Sequence, residues 1–345
     1  MKAIALTKYL PIDNPESLVD IELEMPQPIN RDLLVKVDAI SVNPVDTKIR
    51  APKPQVEENP KVLGWDACGT IVSVGDGVSL FQEGDKVFYA GDITRSGSNA
   101  EFQLVDERIV GRAPNSLTIE QSAAIPLTAL TAWEALIDRL GISLEGALIS
   151  PRQEQTNKSV LVIGGAGGVG SMAIQIASQL AGLKVIATAS TAESLAWCEA
   201  LGADHVINHY HEMPTQLMDL GISGCDYILC CNNTDMHFDT MVEVIKPQGK
   251  ICSIVDNTKP LELQKLKAKS ATFVWEFMFT RAKFQTDDMI EQHHILNEIA
   301  RLLDEGIFKT TLKETLSPIN AENLRLAHQE VEAGNMIGKL VISGW

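Results

Sequence analysis

A glycine-rich turn near the middle of the chain constrains the fold more than any other feature. Gly165–Gly170 reads Gly-Ala-Gly-Gly-Val-Gly and has the spacing G-x-G-x-x-G. It follows an apolar segment, Val160–Ile163, that is typical of a buried strand, and it opens a helical apolar repeat. A strand that passes through such a turn into a helix is the context that identifies a dinucleotide-binding βαβ unit.

The glycines of this turn have separate physical roles. Gly165 permits the tight turn, Gly167 lets a pyrophosphate approach the backbone, and Gly170 allows close helix–strand packing. The helix that begins at Gly168 and Val169 presents free N–H groups and a partial positive charge to phosphates. The sequence therefore predicts that these five residues bind a dinucleotide. The alternative is a glycine-rich turn of the kind found in any α/β domain.

The segments after the turn continue the alternation of strands and helices. The helix face recurs through Leu180, and the next predicted elements are the strands Lys184–Thr188, His205–Ile207, Asp226–Cys230 and Lys250–Ile254 and the helix Glu193–Leu201. Repeated βα units imply an α/β fold with a doubly wound, Rossmann-type parallel sheet. Ser159–Leu183 carries no charge, so a membrane helix is the competing interpretation, but its glycines and polar residues argue against one.

The two ends of the chain have a different pattern. Residues 1 to about 127 contain short strands between turn residues, which is typical of an all-β barrel or sandwich; the predicted strands are Lys2–Leu6, Asp32–Val42, Gly69–Val74, Asp85–Tyr89 and Glu101–Val105. A helix is predicted over Thr118–Leu140, and a polar surface loop over Ser150–Ser159. Near the C-terminus, helices over about 286–304 and 320–332 precede a strand, Gly338–Ile342, which we expect to rejoin the N-terminal domain.

Composition narrows the classes of partner. The 345 residues suggest two domains, and the net charge of −16 makes nucleic acid and anionic membrane surfaces unfavourable partners. Six cysteines without a C-x-x-C pair indicate reduced thiols, and the first residues lack a signal-peptide apolar region. We therefore expect a cytoplasmic protein that binds a small molecule and neither a membrane nor a nucleic acid.

Short motifs along nearly the whole chain resemble the medium-chain dehydrogenase/reductase superfamily, in particular its zinc-independent quinone oxidoreductase-like branch. The matching segments are Ser41–Asp46, Leu63–Asp66 with Gly69, Gly75, Gly84–Val87, Asn99–Phe102, Pro126–Trp133, the glycine turn, Leu201–Asp204 and Gly338–Val341. Gly64–Asp66 and Trp275–Arg281 also resemble a subgroup often labelled zinc-type alcohol dehydrogenase-like.

The resemblance implies a two-domain organisation. A GroES-like β-barrel domain would comprise residues 1–127 and 275–345, and a Rossmann dinucleotide-binding domain residues 128–274. It also implies an active site in the cleft between the domains. Because relatives commonly pair through an edge of the Rossmann sheet, a homodimer is expected.

The resemblance raises the question of zinc. Zinc alcohol dehydrogenases place a Cys at or shortly before the position of Asp46, and a His after the glycine that matches Gly64, where this chain has Trp65. The lobe that holds structural zinc in those enzymes matches about residues 90–111, which contain no cysteine. Asp66 and Cys68 are a conceivable replacement pair, but Cys68 fits better as a small buried residue. We therefore predict no metal.

The segment after the second strand of the βαβ unit bears on the choice of cofactor. An NAD site places Asp or Glu there to bind the ribose 2′-OH, whereas this chain has the neutral Thr188-Ala189-Ser190-Thr191. An acid would repel a 2′-phosphate, so its absence favours NADPH. Ser190 and Thr191 are candidate donors to that phosphate, and His209 is a candidate source of positive charge. No Arg or Lys lies in this turn.

The resemblance also suggests residues around the nicotinamide. Asn43, Asp46 and Lys48 would lie on the facing loop, with Asn43 and Lys48 as donors to a substrate oxygen and Asp46 as an orienting group. Turn structure around Pro44, and a solvated lysine, are the alternatives. Thr128, Ser253 and Val255 would contact the nicotinamide. Trp65 and Phe279 would shape an apolar pocket or belong to ordinary core.

Without zinc, carbonyl reduction loses its main charge stabiliser. Quinones and α,β-unsaturated carbonyls need less help, because hydride adds to a conjugated carbon and modest donors stabilise the resulting oxyanion. The sequence therefore predicts an NADPH-dependent quinone or enone reductase. The alternatives are a zinc-type alcohol dehydrogenase with unusual ligands, and an NADPH-binding structural or regulatory protein with little turnover.

Overall fold

A computed structural model describes residues 1–144 and 158–345, so most of the loop predicted over Ser150–Ser159 lies outside the described residues. The chain divides into two compact units. The first unit contains Met1–Leu130 and Phe279–Trp345, and the second contains Thr131–Met278. Two separate segments of the chain therefore build the first unit, whereas one continuous segment builds the second.

Strands occur in both units. In chain order they are β1 Lys2–Tyr9, β2 Val19–Glu22, β3 Asp32–Ser41, β4 Lys53–Val62, β5 Ala67–Val74, β6 Lys86–Tyr89, β7 Phe102–Asp106, β8 Val110–Arg112, β9 Ser159–Ile163, β10 Lys184–Thr188, β11 His205–Ile207, β12 Cys225–Cys230, β13 Ile245–Ser253, β14 Thr272–Trp275, β15 Leu312–Leu316 and β16 Lys339–Ser343.

Helices also occur in both units. The α-helices are α1 Pro44–Arg50, α2 Ile119–Ala123, α3 Pro126–Trp133, α4 Gly168–Gln175, α5 Ala192–Leu201, α6 Met213–Asp219, α7 Thr234–Val244, α8 Thr280–Phe284, α9 Glu291–Asp304 and α10 Ala321–Ala333. Segments of π-helix follow α3 and α4, at Glu134–Arg139 and Ile176–Leu180, and 3-10 helices cover Glu107–Ile109 and Leu263–Lys269.

The second unit contains a parallel sheet with the order β11-β10-β9-β12-β13-β14. Its central strands are buried on both faces, as the continuous apolar runs at Val160–Ile163 and Val185–Ala187 require. The chain leaves β9 to form β10 on one side and later β12 on the other, so the strand order reverses beside β9. Ligands of doubly wound sheets bind at this switch point, and the glycine turn follows β9 directly.

The first unit contains two sheets, one of order β2-β1-β4 and one of order β15-β16-β3-β5-β6-β8, in which β7 also pairs with β3. The last strand pairs antiparallel with β3 through Val341–Ser41 and Ile342–Ile40. The prediction that the C-terminal strand rejoins the N-terminal domain is therefore confirmed. This pairing brings residue 339 beside the start of α1.

Several predicted boundaries were wrong. Thr118–Leu140 is not one helix, because α2 ends before Pro126, whose ring lacks the N–H that a continuous helix would use. The strand predicted to reach Ile254 ends at Ser253, and the helix predicted from about residue 286 begins at Glu291. Ser159–Leu183 forms a strand and helical segments. Within residues 1–144 and 158–345, no helix has the length and apolar character needed to cross a bilayer.

Candidate functional site

The glycine turn of the second unit is held by the end of β10. Gly164 has a φ of +82°, so the left-handed residue of the turn lies one position before the G-x-G-x-x-G segment. Its N–H donates to Thr188 Oγ1 at 2.9 Å, and the Gly165 N–H donates to the Thr188 carbonyl at 3.0 Å. The buried threonine hydroxyl therefore anchors the turn, a role that the sequence did not reveal.

The other glycines differ in what surrounds them. A Cβ on Gly165 would lie 2.8 Å from the Cβ of Ala187, and one on Gly170 would lie 2.3 Å from the Gly164 carbonyl oxygen. These two positions are glycine because the helix and strand backbones pack closely there. Among the described residues, a Cβ on Gly167 would have the Gly164 carbonyl oxygen as its one neighbour within 4 Å, at 3.6 Å. The space above Gly167 is thus open to a ligand.

The start of α4 fits a pyrophosphate. Gly167 is the N-cap residue and provides no side chain to satisfy the first N–H groups. The first turn of α4 contains no acidic residue, and Gly168 and Val169 are its first two members. Free N–H groups at the positive end of a helix dipole, beneath open space, are a site for an anion.

The segment at the end of β10 carries no charged side chain, and its hydroxyl groups differ in whether they already have a hydrogen-bond partner in the protein. Thr191 caps α5, because its Oγ1 accepts the Ser194 N–H at 3.1 Å. Ser190 is half-buried, and its hydroxyl has no protein partner within the described ranges. Burial lowers the pKa of His209, which disfavours the charged imidazolium form. A role for His209 beside a 2′-phosphate stays a prediction.

The residues after β13 form a small hydroxyl network. Ser253 is fully buried, and its hydroxyl lies 2.6 Å from Thr234 Oγ1. Val255 donates its N–H to Ser253 Oγ at 3.4 Å, and its carbonyl accepts from Thr234 Oγ1. Thr234 thus fixes the backbone of the loop that the sequence assigned to nicotinamide contact. Contact with a nicotinamide stays a prediction for Ser253 and Val255.

The first unit brings Asn43 and Asp46 together at the start of α1. Asn43 is the N-cap residue, and its N–H donates to Asp46 Oδ2 at 2.8 Å. The Asn43 Nδ2 donates to Asp66 Oδ2 at 2.8 Å. Both Asn43 and Asp46 are 1% exposed, and burial raises the pKa of Asp46 to about 7. The amide hydrogens of Asn43 therefore face a protein carboxylate.

Lys48 and Thr128 occupy different surroundings. Lys48 is exposed on α1, one helical turn past Pro44. Thr128 lies near the start of α3, in the first unit, is 2% exposed, and donates to the Ile125 carbonyl at 3.0 Å. Roles in substrate and nicotinamide binding stay predictions for both residues.

A buried lysine connects these segments. Lys339 is 3% exposed, and its Nζ donates to Asn43 Oδ1 at 2.5 Å and to the Val42 carbonyl at 2.9 Å. The same Nζ lies 3.2 Å from Asp66 Oδ2. Burial raises the pKa of Asp66 and lowers the pKa of Lys339, and their mutual attraction opposes both shifts. The other carboxylate oxygen of Asp66 accepts the Leu127 N–H at 2.7 Å.

This donor set does not fit a zinc ion. Trp65 cannot ligate a metal; it is 1% exposed and packs edge-to-face on Phe279 with ring centroids 6.1 Å apart. Burial raises the pKa of Cys68 to about 12, which opposes the thiolate that zinc requires. An ammonium group beside Asp66 would repel a divalent cation. Within the described residues, no three His, Cys, Asp or Glu side chains form a metal-binding group.

Two members of this cluster have roles that the sequence did not reveal. Asp66 is predicted as part of a matching segment and as a conceivable substitute zinc ligand, and Lys339 as part of a matching C-terminal segment. The available signal was a lysine that directly precedes the apolar run Leu340–Ile342 at the start of a strand. A charged residue beside a buried strand suggests a buried partner, but the partner's identity requires the tertiary fold.

Family models match both units. Residues 30–115 match the alcohol dehydrogenase GroES-like domain, and residues 168–292 match the zinc-binding dehydrogenase family. A Staphylococcus epidermidis protein named zinc-type alcohol dehydrogenase-like protein is 45% identical over 343 residues, which cover 99% of each chain. The chain belongs to the medium-chain dehydrogenase/reductase superfamily. It is an oxidoreductase of that superfamily, with the predicted Rossmann-type and GroES-like fold.

Other proteins that are similar to this chain have names that mention different substrates. The Arabidopsis thaliana NADPH-dependent alkenal/one oxidoreductase is 34% identical over 271 residues, which cover 75% of this chain and 64% of that protein. A Rhizobium etli structure, provisionally described as a zinc-dependent alcohol dehydrogenase, has a TM-score of 0.93 and 46% identity over 100% of this chain and 98% of its own. The Coxiella burnetii quinone oxidoreductase has a TM-score of 0.79 and 25% identity over 100% and 99%.

Proposed function

We propose that this oxidoreductase uses NADPH to reduce a quinone or an α,β-unsaturated carbonyl without a metal. The observation that carries the proposal is the donor set around Asp66, where the charged neighbour is the Lys339 ammonium and the adjacent side chain is an indole. No Lewis acid fits there to polarise an isolated carbonyl. A conjugated acceptor needs less polarisation, because its negative charge spreads to an oxygen as hydride arrives.

The neutral end of β10 supports NADPH over NADH. No carboxylate occurs in Thr188–Thr191 to bind a ribose 2′-OH or to repel a 2′-phosphate. The Ser190 hydroxyl is available as a donor, and α5 begins directly after Thr191, so its N-terminus contributes partial positive charge. The name of the Arabidopsis relative, an NADPH-dependent alkenal/one oxidoreductase, supports the same assignment.

A bound nicotinamide would supply the hydride, and the protein would supply placement and electrostatics. The N-terminus of α4, above the open face of Gly167, would hold the pyrophosphate. On the substrate side, Lys48 offers an ammonium donor on the exposed face of α1. It would stabilise the oxygen on which negative charge develops, and a proton from solvent would complete the reduction.

The test is consumption of reduced nicotinamide with one ortho-quinone and one 2-alkenal, with NADPH and NADH compared in parallel. We expect turnover with at least one acceptor and a preference for NADPH. The better acceptor defines the substrate class. Tight NADPH binding without turnover of either acceptor would contradict the proposal and favour a structural or regulatory role.

We also propose that the protein forms a homodimer through β14. This strand is one edge of the described parallel sheet; its last residue, Trp275, is 45% exposed, and Phe277, two residues further along the chain, is 44% exposed. An edge strand with exposed aromatic residues is suited to pairing with a second copy. We expect light scattering at micromolar concentration to give about twice the 37.6 kDa chain mass, and Trp275→Glu to give a monomer. A monomeric wild type would contradict the proposal.

A further inference from the structure

The buried ammonium of Lys339 has no role in the proposed hydride transfer, yet it lies beside residues predicted to serve that reaction. A lysine that is 3% exposed is costly unless its hydrogen bonds are satisfied. Three oxygens surround its Nζ within 3.2 Å: Asn43 Oδ1, the Val42 carbonyl and Asp66 Oδ2. Three acceptors match the three N–H donors of an ammonium group, so the geometry describes a charged lysine.

This ammonium determines how Asn43 is oriented. Because Lys339 only donates, the Asn43 oxygen must face it, and the Asn43 nitrogen must then face Asp66, where it donates at 2.8 Å. Removing the cation would leave the Asn43 oxygen without its donor and would remove the preference for this orientation. The backbone N–H of Asn43 also donates to Asp46 Oδ2. The first turn of α1 therefore begins at the residue whose side chain Lys339 orients.

Asp66 extends the connection to α3. Its Oδ2 faces Lys339 and Asn43, while its Oδ1 accepts the N–H of Leu127, the second residue of α3. A carboxylate at a helix N-terminus is stabilised by the helix dipole. Lys339 favours the ionised form of Asp66 and so strengthens this cap. One ammonium on β16 therefore fixes the end of β3, the start of α1 and the start of α3.

We propose that Lys339 is a positioning residue for the reaction, an internal cation that holds the Asn43–Lys48 segment and the Thr128 segment in one arrangement. The inference rests on the proposed function for its effect on turnover, but its structural part is independent of that function. It assigns the chain's own ammonium the task of organising this loop.

The test uses a pair of variants that separates charge from folding. Lys339→Met keeps the length of the side chain but leaves Asp66 buried without its cation, so we expect a lower melting temperature. Lys339→Met combined with Asp66→Asn removes both charges, and the new amide oxygen can still accept the Leu127 N–H. We expect this double variant to recover most of the lost stability, because an uncompensated buried charge is no longer present.

Two readouts then decide the inference. In the double variant, amide hydrogen exchange is expected to accelerate in residues 41–48 and 125–130. We expect kcat to fall about 10- to 100-fold, as small displacements of positioning groups cause. The dissociation constant for NADPH should rise by a smaller factor, because the glycine turn in the second unit is untouched. The matched control removes a solvent-exposed pair in the second unit, Lys265→Met with Asp239→Asn, and should alter neither readout.

The outcomes separate this inference from the proposed function. Wild-type exchange in both segments of the folded double variant would overturn the positioning role, whatever the activity. An equal loss of NADPH affinity and kcat would also overturn it, because that pattern indicates a general structural defect. If the wild type reduces neither acceptor, the proposed function fails, and the exchange data still decide whether Lys339 organises the two segments.

Discussion

The buried polar residues of the first unit form a network in which each group depends on its neighbours. Asn43 donates to Asp66 and Asp46 and accepts from Lys339. An apolar replacement of any one of these side chains would therefore leave a neighbouring polar group without its hydrogen-bond partner. Removing one partner leaves the other buried without a hydrogen bond, and this costs more free energy than the bond contributed. Apolar replacement of both partners of a bond is therefore expected to destabilise the network less than replacement of one.

The buried carboxyl of Asp46 predicts a pH-dependent contribution to stability. Its pKa is about 7 when folded, against an ordinary 3.8, so the folded chain binds more protons than the unfolded chain between these pH values. Stability is therefore lost as pH rises through this interval. Asp46→Asn does not titrate and can still accept the Asn43 N–H.

We expect Asp46→Asn to gain stability over the wild type as pH rises from about 4 to about 7, by at most about 4 kcal/mol. Urea denaturation of both proteins at about pH 5 and about pH 8 measures the difference. A difference that is the same at both pH values would show that the folded Asp46 ionises normally.

At the scale of single elements, the turn between β9 and α4 contains glycines of two kinds. Some are required by close backbone packing, and others are predicted to face the ligand. Gly170→Ala would place a Cβ 2.3 Å from a backbone oxygen, and we expect it to destabilise the second unit by about 1–3 kcal/mol. Gly167→Ala has room, at 3.6 Å, and its φ of −72° suits alanine, so its melting temperature should change little.

The Gly167→Ala methyl would occupy the open space where a pyrophosphate would approach. We expect NADPH affinity to fall about tenfold, which corresponds to about 1.4 kcal/mol, as measured by fluorescence titration. Unchanged affinity in a folded Gly167→Ala protein would contradict phosphate binding at this turn, whereas weak binding by Gly170→Ala alone would reflect only its damaged fold.

The parallel sheet was predictable because its signals are local. Lys184–Thr188 and His205–Ile207 have the predicted bounds, since β-branched runs between turn residues identify buried strands without long-range information. In contrast, β4 was missed, because Lys53–Val62 contains two prolines and several charges and is mostly exposed. Its strand conformation depends on pairing with β1, which no local pattern reports.

The candidate site was only partly predictable for the same reason. The G-x-G-x-x-G turn lies within one short segment, and the sequence indicated it. Asn43 and Asp46 were indicated only as loop or turn residues, and their capping of α1 was missed. Lys339 and Asn43 are 296 residues apart, and β16 brings them together only by pairing with β3. The left-handed residue at Gly164 was also missed, because the motif spacing begins one position later.

At the scale of the whole molecule, the chain combines a continuous dinucleotide-type unit with a barrel-type unit built from both ends of the sequence. The second unit supplies the open helix N-terminus, and the first supplies the polar cluster of Asp66, Asn43 and Lys339. The central claim is that such an enzyme delivers hydride to a conjugated carbon. A zinc enzyme would instead activate the carbonyl itself.

Reduction of a 2-alkenal with NADPH deuterated at its transferable position tests this claim most directly, with a metal chelator present and absent. We predict a saturated aldehyde with deuterium on the β-carbon and a solvent proton on the α-carbon, formed at a rate that the chelator does not change. An allylic alcohol with deuterium on its carbinol carbon, whose formation the chelator abolishes, would contradict it.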